Sequence, residues 1–227
     1  MSNCYLKASC NGKDCESDFC IRKYKMDSLY SAALMTESQK QHIALRVDAD
    51  GTDLEQFKQL AAIEQSICKF VEEGKNLYLH SAIPGNGKSS WSLRLVEAYF
   101  NKIWARSEPR CRALFISVPR FLLALKDNIT NKSEYVEYIK ENVLEADLVV
   151  FDDLGSKIGS EFELSHLLSI IDNRLSLGKS NIYTSNLNRQ QLYTALGERL
   201  TSRVANMSID IELFGSDKRN LKLEDNQ

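Results

Sequence analysis

A glycine-rich segment at residues 81–90, SAIPGNGKSS, has the residue types and spacing of a phosphate-binding loop. Gly85 and Gly87 allow left-handed torsions, which bring backbone N–H groups close to phosphate oxygens. Lys88 can reach the β- and γ-phosphates of a nucleotide, and the hydroxyl of Ser89 can bind magnesium. The predicted nucleotide-binding residues are Pro84, Gly85, Asn86, Gly87, Lys88, Ser89 and Ser90.

The loop departs from the usual pattern at its first position, where Ala82 replaces a glycine. Alanine accepts only ordinary torsions, so we expect either that the loop begins slightly differently or that a glycine is not essential there. A match with this departure needs support from the rest of the chain.

Two adjacent carboxylates, Asp152 and Asp153, follow the apolar run 148–151. A continuous apolar run predicts a strand covered on both faces, and ligands of parallel sheets bind beyond the carboxyl ends of the strands. Asp152 can hold magnesium, usually through water, and Asp153 can orient the water that attacks a γ-phosphate. The alternative is a solvated acidic turn. Asn186 follows another predicted strand and could bind the same water or the γ-phosphate, although such a residue is more often a turn former.

Four cysteines lie near the start of the chain, at Cys4, Cys10, Cys15 and Cys20. Four thiolates satisfy a tetrahedral zinc ion, and a segment this short cannot fold by apolar burial alone. The sequence therefore predicts a zinc-binding module. An iron–sulfur cluster, or cysteines that are reduced or disulfide-paired, are the alternatives.

The elements that position these residues are alternating strands and helices. Apolar residues at helical spacing predict one helix from Thr52 or Asp53 to Gly74, and the helix after the glycine-rich loop is apolar nearly all round, as in helices packed on a sheet. The last strand alternates apolar and polar residues and is expected to be half exposed, with no helical lid after it. The predicted strands cover 76–80, 111–118, 148–151, 181–185 and 207–213, and further helices begin near 119, 134, 164 and 188.

Length and composition fit one domain of ordinary size with a small appendage. Of the 227 residues, 43% are hydrophobic and 26% charged, which is typical of globular proteins. The apolar runs are too short to span a bilayer and the N-terminus is unlike a signal peptide, so a cytoplasmic location is expected. A formal net charge of −2 excludes nucleic-acid binding by bulk charge. We expect a cysteine-rich module at 1–25, a linker with a short helix at 26–51, and an α/β domain at 52–227.

Four segments occur in the order that they have in a known family: IPGNGKS at 83–89, VFDDLG at 150–155, YTSN at 183–186 and ERLTSR at 198–203. Together they resemble the AAA+ ATPases of the DnaC/DnaI helicase-loader group, which includes ATPase subunits of certain transposons and many phage replication proteins. The resemblance covers about residues 52–219. It implies an AAA+ P-loop fold of three layers, in which a parallel sheet has helices on both faces.

The resemblance also implies roles for single residues. The matches are Walker A at Lys88 and Ser89, Walker B at Asp152 and Asp153, and sensor 1 at Asn186. Arg203 matches the arginine finger, which acts on the ATP of a neighbouring subunit, and Arg199 is its neighbour and a candidate substitute. Arg219 matches sensor 2 on a short terminal segment. For any single arginine the alternative is a surface salt bridge, worth about 0 to 1 kcal/mol.

By this resemblance, the chain is expected to be a phage-type ATPase that binds ATP and Mg²⁺, forms an ATP-dependent homo-oligomer and loads a replicative hexameric helicase onto single-stranded DNA in a bacterial host cell. The cysteine-rich module and the linker are expected to contact the helicase. Asp153 replaces the glutamate of many AAA+ motors, and its shorter side chain predicts slow hydrolysis, which suits a switch. Arg120, Lys126 and Lys132, with Phe121 nearby, are candidate DNA contacts, and the alternative for Phe121 is a core residue, which is the more common role at such a position.

Three other functions stay open from the sequence. The first is an ATPase regulator of a transposase, which would share nearly every motif. The second is a P-loop small-molecule kinase, against which the missing lid, Asn186 and Arg203 all argue. The third is a zinc-bearing DNA-binding module with an inactive ATPase domain.

Overall fold

The computed structural model describes residues 4–6, 19–40, 45, 48, 50–108, 110–128, 130–156 and 160–218. Its centre is a five-stranded sheet with the order β2-β3-β4-β1-β5, and every neighbouring pair is parallel. The strands are β1 Asn76–His80, β2 Ala113–Ser117, β3 Leu148–Asp152, β4 Ser180–Ser185 and β5 Ile209–Glu212. The predicted parallel α/β sheet is confirmed, and its last strand is an edge strand with Ile209 exposed.

Helices flank the sheet. They are α1 Ile21–Ala32, α2 Leu54–Gln65, α3 Ile67–Glu72, α4 Lys88–Ile103, α5 Val118–Asp127, α6 Glu134–Asn142, α7 Glu161–Ser176 and α8 Arg189–Ala205, with a short 3-10 helix at Glu37–Gln39. The single helix predicted from residue 52 or 53 to 74 is wrong, because Ser66 takes non-helical torsions (φ −103°, ψ 24°) and separates α2 from α3. The hydroxyl of Ser66 donates to the carbonyl of Ala62, which also accepts the backbone N–H of Ser66, and such a side-chain bond often bends a helix.

Two hydrophobic clusters lie on opposite faces of the sheet. On one face, α1 to α4 pack on Leu77, Leu79 and Val150. On the other, α5 to α8 pack on Val149 and Phe151. Adjacent residues of β3 thus belong to different clusters, because successive side chains of a strand point to opposite faces. The architecture is the predicted three-layer arrangement.

Helix α1 is part of the core of the domain. Met26, Leu29 and Tyr30 are buried in the cluster that also contains residues of α4. Just after the helix, the carbonyl of Ala33 accepts a 2.9 Å hydrogen bond from the backbone N–H of Phe115, so the end of α1 covers edge strand β2. The helix therefore crosses the predicted boundary at residue 25 and packs on the sheet domain.

Helix α8 begins close to the predicted position and runs as far as Ala205. Gly197 has φ 79° and ψ 169°, torsions that are nearly restricted to glycine, and it divides α8 into two segments. The second segment carries Arg199 and Arg203. None of the helices in the described part of the chain combines the length and apolar character that a membrane span requires.

Candidate nucleotide-binding site

The glycine-rich loop connects β1 to the first turn of α4, as a phosphate-binding loop must. Gly85 (φ 74°) and Gly87 (φ 111°) take left-handed torsions, and Gly87 directly precedes α4. Ala82 is not among the described non-glycine residues with positive φ, so alanine fits its position without strain. The N-terminus of a 16-residue helix therefore faces the loop and favours an anion there.

The side chains of Lys88 and Asn86 lie within the loop. The Lys88 Nζ atom donates to the carbonyl of Ile83 (3.1 Å) and to Asn86 Oδ1 (3.3 Å), both of which a phosphate can replace as partners of the ammonium group. Asn86 is fully buried, and its Nδ2 atom donates to Ser81 Oγ (2.6 Å) and to the carbonyl of Leu213 (3.3 Å). Its side chain thus fixes the loop to the end of β5 and leaves only its backbone N–H for a nucleotide.

The two predicted magnesium ligands, Ser89 and Asp152, are in contact. Ser89 Oγ donates to Asp152 Oδ1 at 2.8 Å, and Thr184 Oγ1 donates to the same oxygen at 2.7 Å. Burial raises the pKa of Asp152 above its usual value, and the hydrogen bonds from Thr184 and Ser89 oppose that rise. A hydroxyl and a carboxylate are the hard oxygen ligands that Mg²⁺ prefers, so these residues fit the ion.

Asp153 has a left-handed backbone (φ 61°), which is uncommon for a residue other than glycine. Its N–H donates to Thr184 Oγ1 at 2.9 Å, and its Oδ1 atom accepts a 3.2 Å hydrogen bond from Asn186 Nδ2. The sequence predicts Asn186 near the attacking water or the γ-phosphate but does not predict its hydrogen bond to the carboxylate of Asp153. It also does not indicate Thr184, which contacts both aspartates; the only sequence signal was its position in the YTSN segment.

These groups line one cavity of about 290 Å³ at the carboxyl ends of the strands. The volume is near the lower end of ligand cavities, about 300 Å³. Its lining residues are Gly85, Gly87, Lys88, Ser89, Ser90, Asp152, Asp153, Thr184 and Asn186. Pro84 and Asn86 are not among them. A cation and helix N-terminus on one side, with two carboxylates on the other, suit the phosphate chain of a nucleotide with Mg²⁺.

The candidate arginines lie away from this cavity. The Nε atom of Arg203 is 2.5 Å from Asp172 Oδ1 on α7, and the arginine side chain is 39% exposed. Arg199 is exposed on the same segment of α8. Neither residue lines the nucleotide cavity of its own chain. Arg219 lies outside the described residues.

The predicted zinc module is only partly described. Cys4 packs against the core, and the Sγ atom of Cys20 caps α1 by accepting a 3.5 Å hydrogen bond from the N–H of Lys23. Cys10 and Cys15 lie outside the described residues. Within the part of the chain that the structure describes, no group of three or more His, Cys, Asp or Glu residues could hold a metal ion.

The predicted stacking of DNA bases on Phe121 is wrong. This residue is 1% exposed, because α5 turns its apolar side, with Val118, Leu122 and Leu125, into the core. The ring beside the basic residues is instead that of Tyr135, which lies 4.6 Å from the Arg120 guanidinium.

Fold and site together define a P-loop nucleotide-binding protein with the α/β fold of the AAA+ ATPases. The chain is homologous to the DnaC helicase loaders. Over 127 residues it is 28% identical to the replicative helicase loader DnaC of Escherichia coli strain K12, and the match covers 56% of this chain and 49% of that protein. The chain thus spans about half the length of the curated relatives it matches. No family model matches it.

Solved structures give the same result for the fold. The crystal structure of the DnaC helicase loader superposes with a TM-score of 0.53 and 25% identity, covering 66% of this chain and 87% of that one. The crystal structure of DnaI gives a TM-score of 0.58 and 23% identity, covering 79% of this chain and 95% of that one.

Proposed function

We propose that this chain is an ATPase that loads a replicative hexameric helicase onto single-stranded DNA. The observation that carries the proposal is the homology to DnaC, a replicative helicase loader, over a segment of 127 residues. The nucleotide cavity adds independent support, because it joins a phosphate-binding loop to two strand-end carboxylates. Replicative loading places the protein in the cytoplasm of a bacterial host cell.

In this function, the chain binds ATP through the loop and holds magnesium through Ser89 and Asp152. Bound Mg²⁺ neutralises charge on the phosphates. Lys88 exchanges its carbonyl and amide partners for phosphate oxygens, and the backbone N–H groups of the loop bind the remaining oxygens. Asp153 accepts a hydrogen bond from the attacking water and orients it, while Asn186 holds the carboxylate of Asp153 in place.

Hydrolysis is slow in this account, and ATP acts as a switch. The Asp153 side chain is one methylene shorter than a glutamate, so its carboxylate lies farther from the attacking water, and misplacement of about 1 Å can cost about 10²-fold in rate. Slow turnover lets the ATP-bound state persist until DNA or the helicase stimulates hydrolysis.

The ATP-bound chain assembles with copies of itself. Arg203 lies outside the cavity of its own chain and is paired with Asp172, so an arginine finger at this position must serve a neighbouring subunit. Assembly on ATP would separate this pair and offer Arg203 to the neighbour's γ-phosphate. Arg199, on the same segment, is the second candidate.

Single-stranded DNA binds beside α5 and α6 in this proposal. Arg120, Lys126 and Lys132 are exposed there, and the Arg120 guanidinium stacks on Tyr135. Cations combined with an aromatic ring suit a sequence-tolerant grip on a single strand. Charge reversal of Lys126 and Lys132 should weaken DNA binding and leave ATP binding unchanged.

A pull-down with a candidate hexameric helicase, with and without ATP, tests the proposal. Wild-type protein should retain the helicase more strongly with ATP, and Lys88→Ala should lose that ATP dependence. Equal or absent retention in all conditions, with a helicase from the same replication system, would contradict the loading function.

The zinc module and its contact with the helicase stay predictions. Because α1 packs into the core, deletion of the N-terminal region would remove Met26 and Tyr30, expose core residues such as Phe100 and confuse the result. Cys10→Ser combined with Cys15→Ser is the cleaner test. The prediction is supported if wild-type protein binds zinc under reducing conditions and the variant loses both zinc and helicase binding. Metal-free wild-type protein contradicts it.

A further inference from the structure

Thr184 is the residue of the site to which neither sequence nor family resemblance assigns a role. It lies on β4, which is between β3 and β1 in the sheet, and it is 1% exposed. Its hydroxyl donates to Asp152 Oδ1 (2.7 Å) and accepts from the N–H of Asp153 (2.9 Å). Its carbonyl accepts from the N–H of Leu154 (2.8 Å). One residue thus bonds three consecutive residues at the end of β3.

The direction of the hydroxyl proton is fixed by these partners. The backbone N–H of Asp153 can only donate, so it occupies a lone pair of Thr184 Oγ1. The single hydroxyl proton is then directed to the carboxylate of Asp152. Ser89 donates to the same Oδ1 atom, so neither of these two hydrogen bonds uses Oδ2.

Thr184 also holds the backbone of Asp153. That residue has a left-handed conformation, which persists only where its surroundings determine it. The hydrogen bond from its N–H to Thr184 is one such determinant, and the contact of its carboxylate with Asn186 is another. These two partners of the Asp153 N–H and carboxylate therefore come from the end of β4 or the residue that follows it.

We propose that Thr184 is a positioning residue, whose hydroxyl sets Asp152 for magnesium and Asp153 for the attacking water. The inference rests on the proposed ATPase function. When Ser89 turns its oxygen from Asp152 to the metal, Thr184 stays as the hydrogen-bond donor to that carboxylate. Mutation of a residue that orients a metal ligand in this way typically lowers metal affinity or activity by about 10- to 100-fold.

The test compares three variants of the full chain. Thr184→Val keeps the shape and removes the hydroxyl, and Thr184→Ser keeps the hydroxyl. Ser185→Ala is the matched control, because Ser185 is also buried on β4 but its hydroxyl contacts no aspartate of the site: it donates to the carbonyl of Leu154 (2.6 Å), accepts from the N–H of Leu187 (3.1 Å) and lies beside the Tyr78 hydroxyl. Binding of a fluorescent ATP analogue is titrated with Mg²⁺ and measured again in EDTA, and hydrolysis is measured separately.

Thr184→Val should raise the Mg²⁺ concentration for half-maximal binding about tenfold or more, with unchanged affinity in EDTA. Thr184→Ser should restore the wild-type value, and Ser185→Ala should keep it even if its melting temperature falls. If Thr184→Val does not fold, Thr184→Ala replaces it. Its Mg²⁺-dependent binding is then divided by the number of nucleotide sites measured in EDTA, which corrects for unfolded protein.

A wild-type Mg²⁺ dependence in Thr184→Val or Thr184→Ala, or an equal change in Ser185→Ala, overturns the inference. Absence of Mg²⁺-dependent nucleotide binding or of hydrolysis in the wild-type protein overturns the proposed ATPase function instead.

Discussion

Substitutions at Asp153 separate its chemical role from its backbone role. The residue has φ 61°, and left-handed torsions cost a residue with a Cβ atom about 1–2 kcal/mol, with asparagine and aspartate tolerating them best. Asparagine keeps that tolerance and removes the charge, glycine removes the strain as well as the side chain, and alanine removes the side chain and retains the strain. The three variants therefore lose the carboxylate equally and differ in backbone cost.

The expected magnitudes follow from this difference. All three variants should lose hydrolysis by about 10²- to 10⁴-fold, the usual contribution of a positioned general base. Asp153→Asn and Asp153→Gly should unfold within about 0.5 kcal/mol of each other, whereas Asp153→Ala should be about 1 kcal/mol less stable than Asp153→Gly. Single-turnover hydrolysis and urea denaturation, both at saturating Mg²⁺, measure the two effects.

The lengthened variant tests the proposal that the short side chain of Asp153 makes hydrolysis slow. Asp153→Glu moves the carboxylate outward by one methylene and should raise the rate by up to about 10²-fold. Wild-type hydrolysis in Asp153→Asn, or Asp153→Ala as stable as Asp153→Gly, would refute the reasoning. A slower or unchanged Asp153→Glu would show that side-chain length does not limit turnover.

Lys88→Ala should weaken ATP binding about 10- to 100-fold, since bonds to charged groups are worth about 1.5–3 kcal/mol; equilibrium binding measures it, and unchanged affinity would contradict the placement of the loop. Arg203→Ala assayed by itself should lose hydrolysis, because an arginine finger in trans is worth about 10³- to 10⁵-fold in rate. Mixing it with Lys88→Ala, which keeps Arg203, should restore part of the activity; no recovery on mixing argues against Arg203 as the finger. Asp147 is partly buried, which raises its pKa, but hydrogen bonds from Arg112 and Tyr99 outweigh this burial and hold the pKa below its usual value. Its stabilisation is therefore present above the unfolded-state pKa of about 3.9 and is lost as pH falls through the folded-state value. By urea denaturation, the free energy of unfolding of Asp147→Asn should be about 1–3 kcal/mol below that of the wild type at pH 7, and the difference should shrink below about pH 4. A difference that does not change with pH would contradict this.

The features that the sequence predicts well are those set by local chemistry. Glycines before a lysine and a serine define the loop, and an apolar run that ends in two aspartates defines β3 and its carboxyl end. Parallel strands bring their carboxyl ends to one edge of a sheet, so the contact between Ser89 and Asp152 follows once both elements are recognised.

The features that the sequence does not predict depend on partners distant in the chain. In the sequence, Thr184 has the pattern of an ordinary β-branched strand residue. Its hydroxyl contacts Asp152 only because β3 and β4 pair with Phe151 opposite Tyr183. Arg203 meets Asp172 only because α7 and α8 are neighbours. The stacking role of Phe121 is wrong and its alternative, a core position, is correct, because the apolar residues of α5 recur at helical spacing and turn this ring into the core.

Helix α1 shows the same limit for domain boundaries. Its buried residues Met26, Leu29 and Tyr30 form a narrow face on a helix that is otherwise polar, a pattern also typical of a solvated connector. The hydrogen bond between Ala33 and Phe115 and the burial against α4, which no sequence pattern reveals, show that the helix covers one edge of the sheet.

ATP-dependent transfer of a replicative hexameric helicase onto circular single-stranded DNA is a direct assay of the proposed loading function. Helicase bound to the circle is counted by co-sedimentation and by strand displacement, with wild-type protein or Lys88→Ala and with or without ATP. We expect loading with wild-type protein and ATP, and at least tenfold less loaded helicase with Lys88→Ala. Equal amounts of loaded helicase with and without the wild-type protein would contradict it.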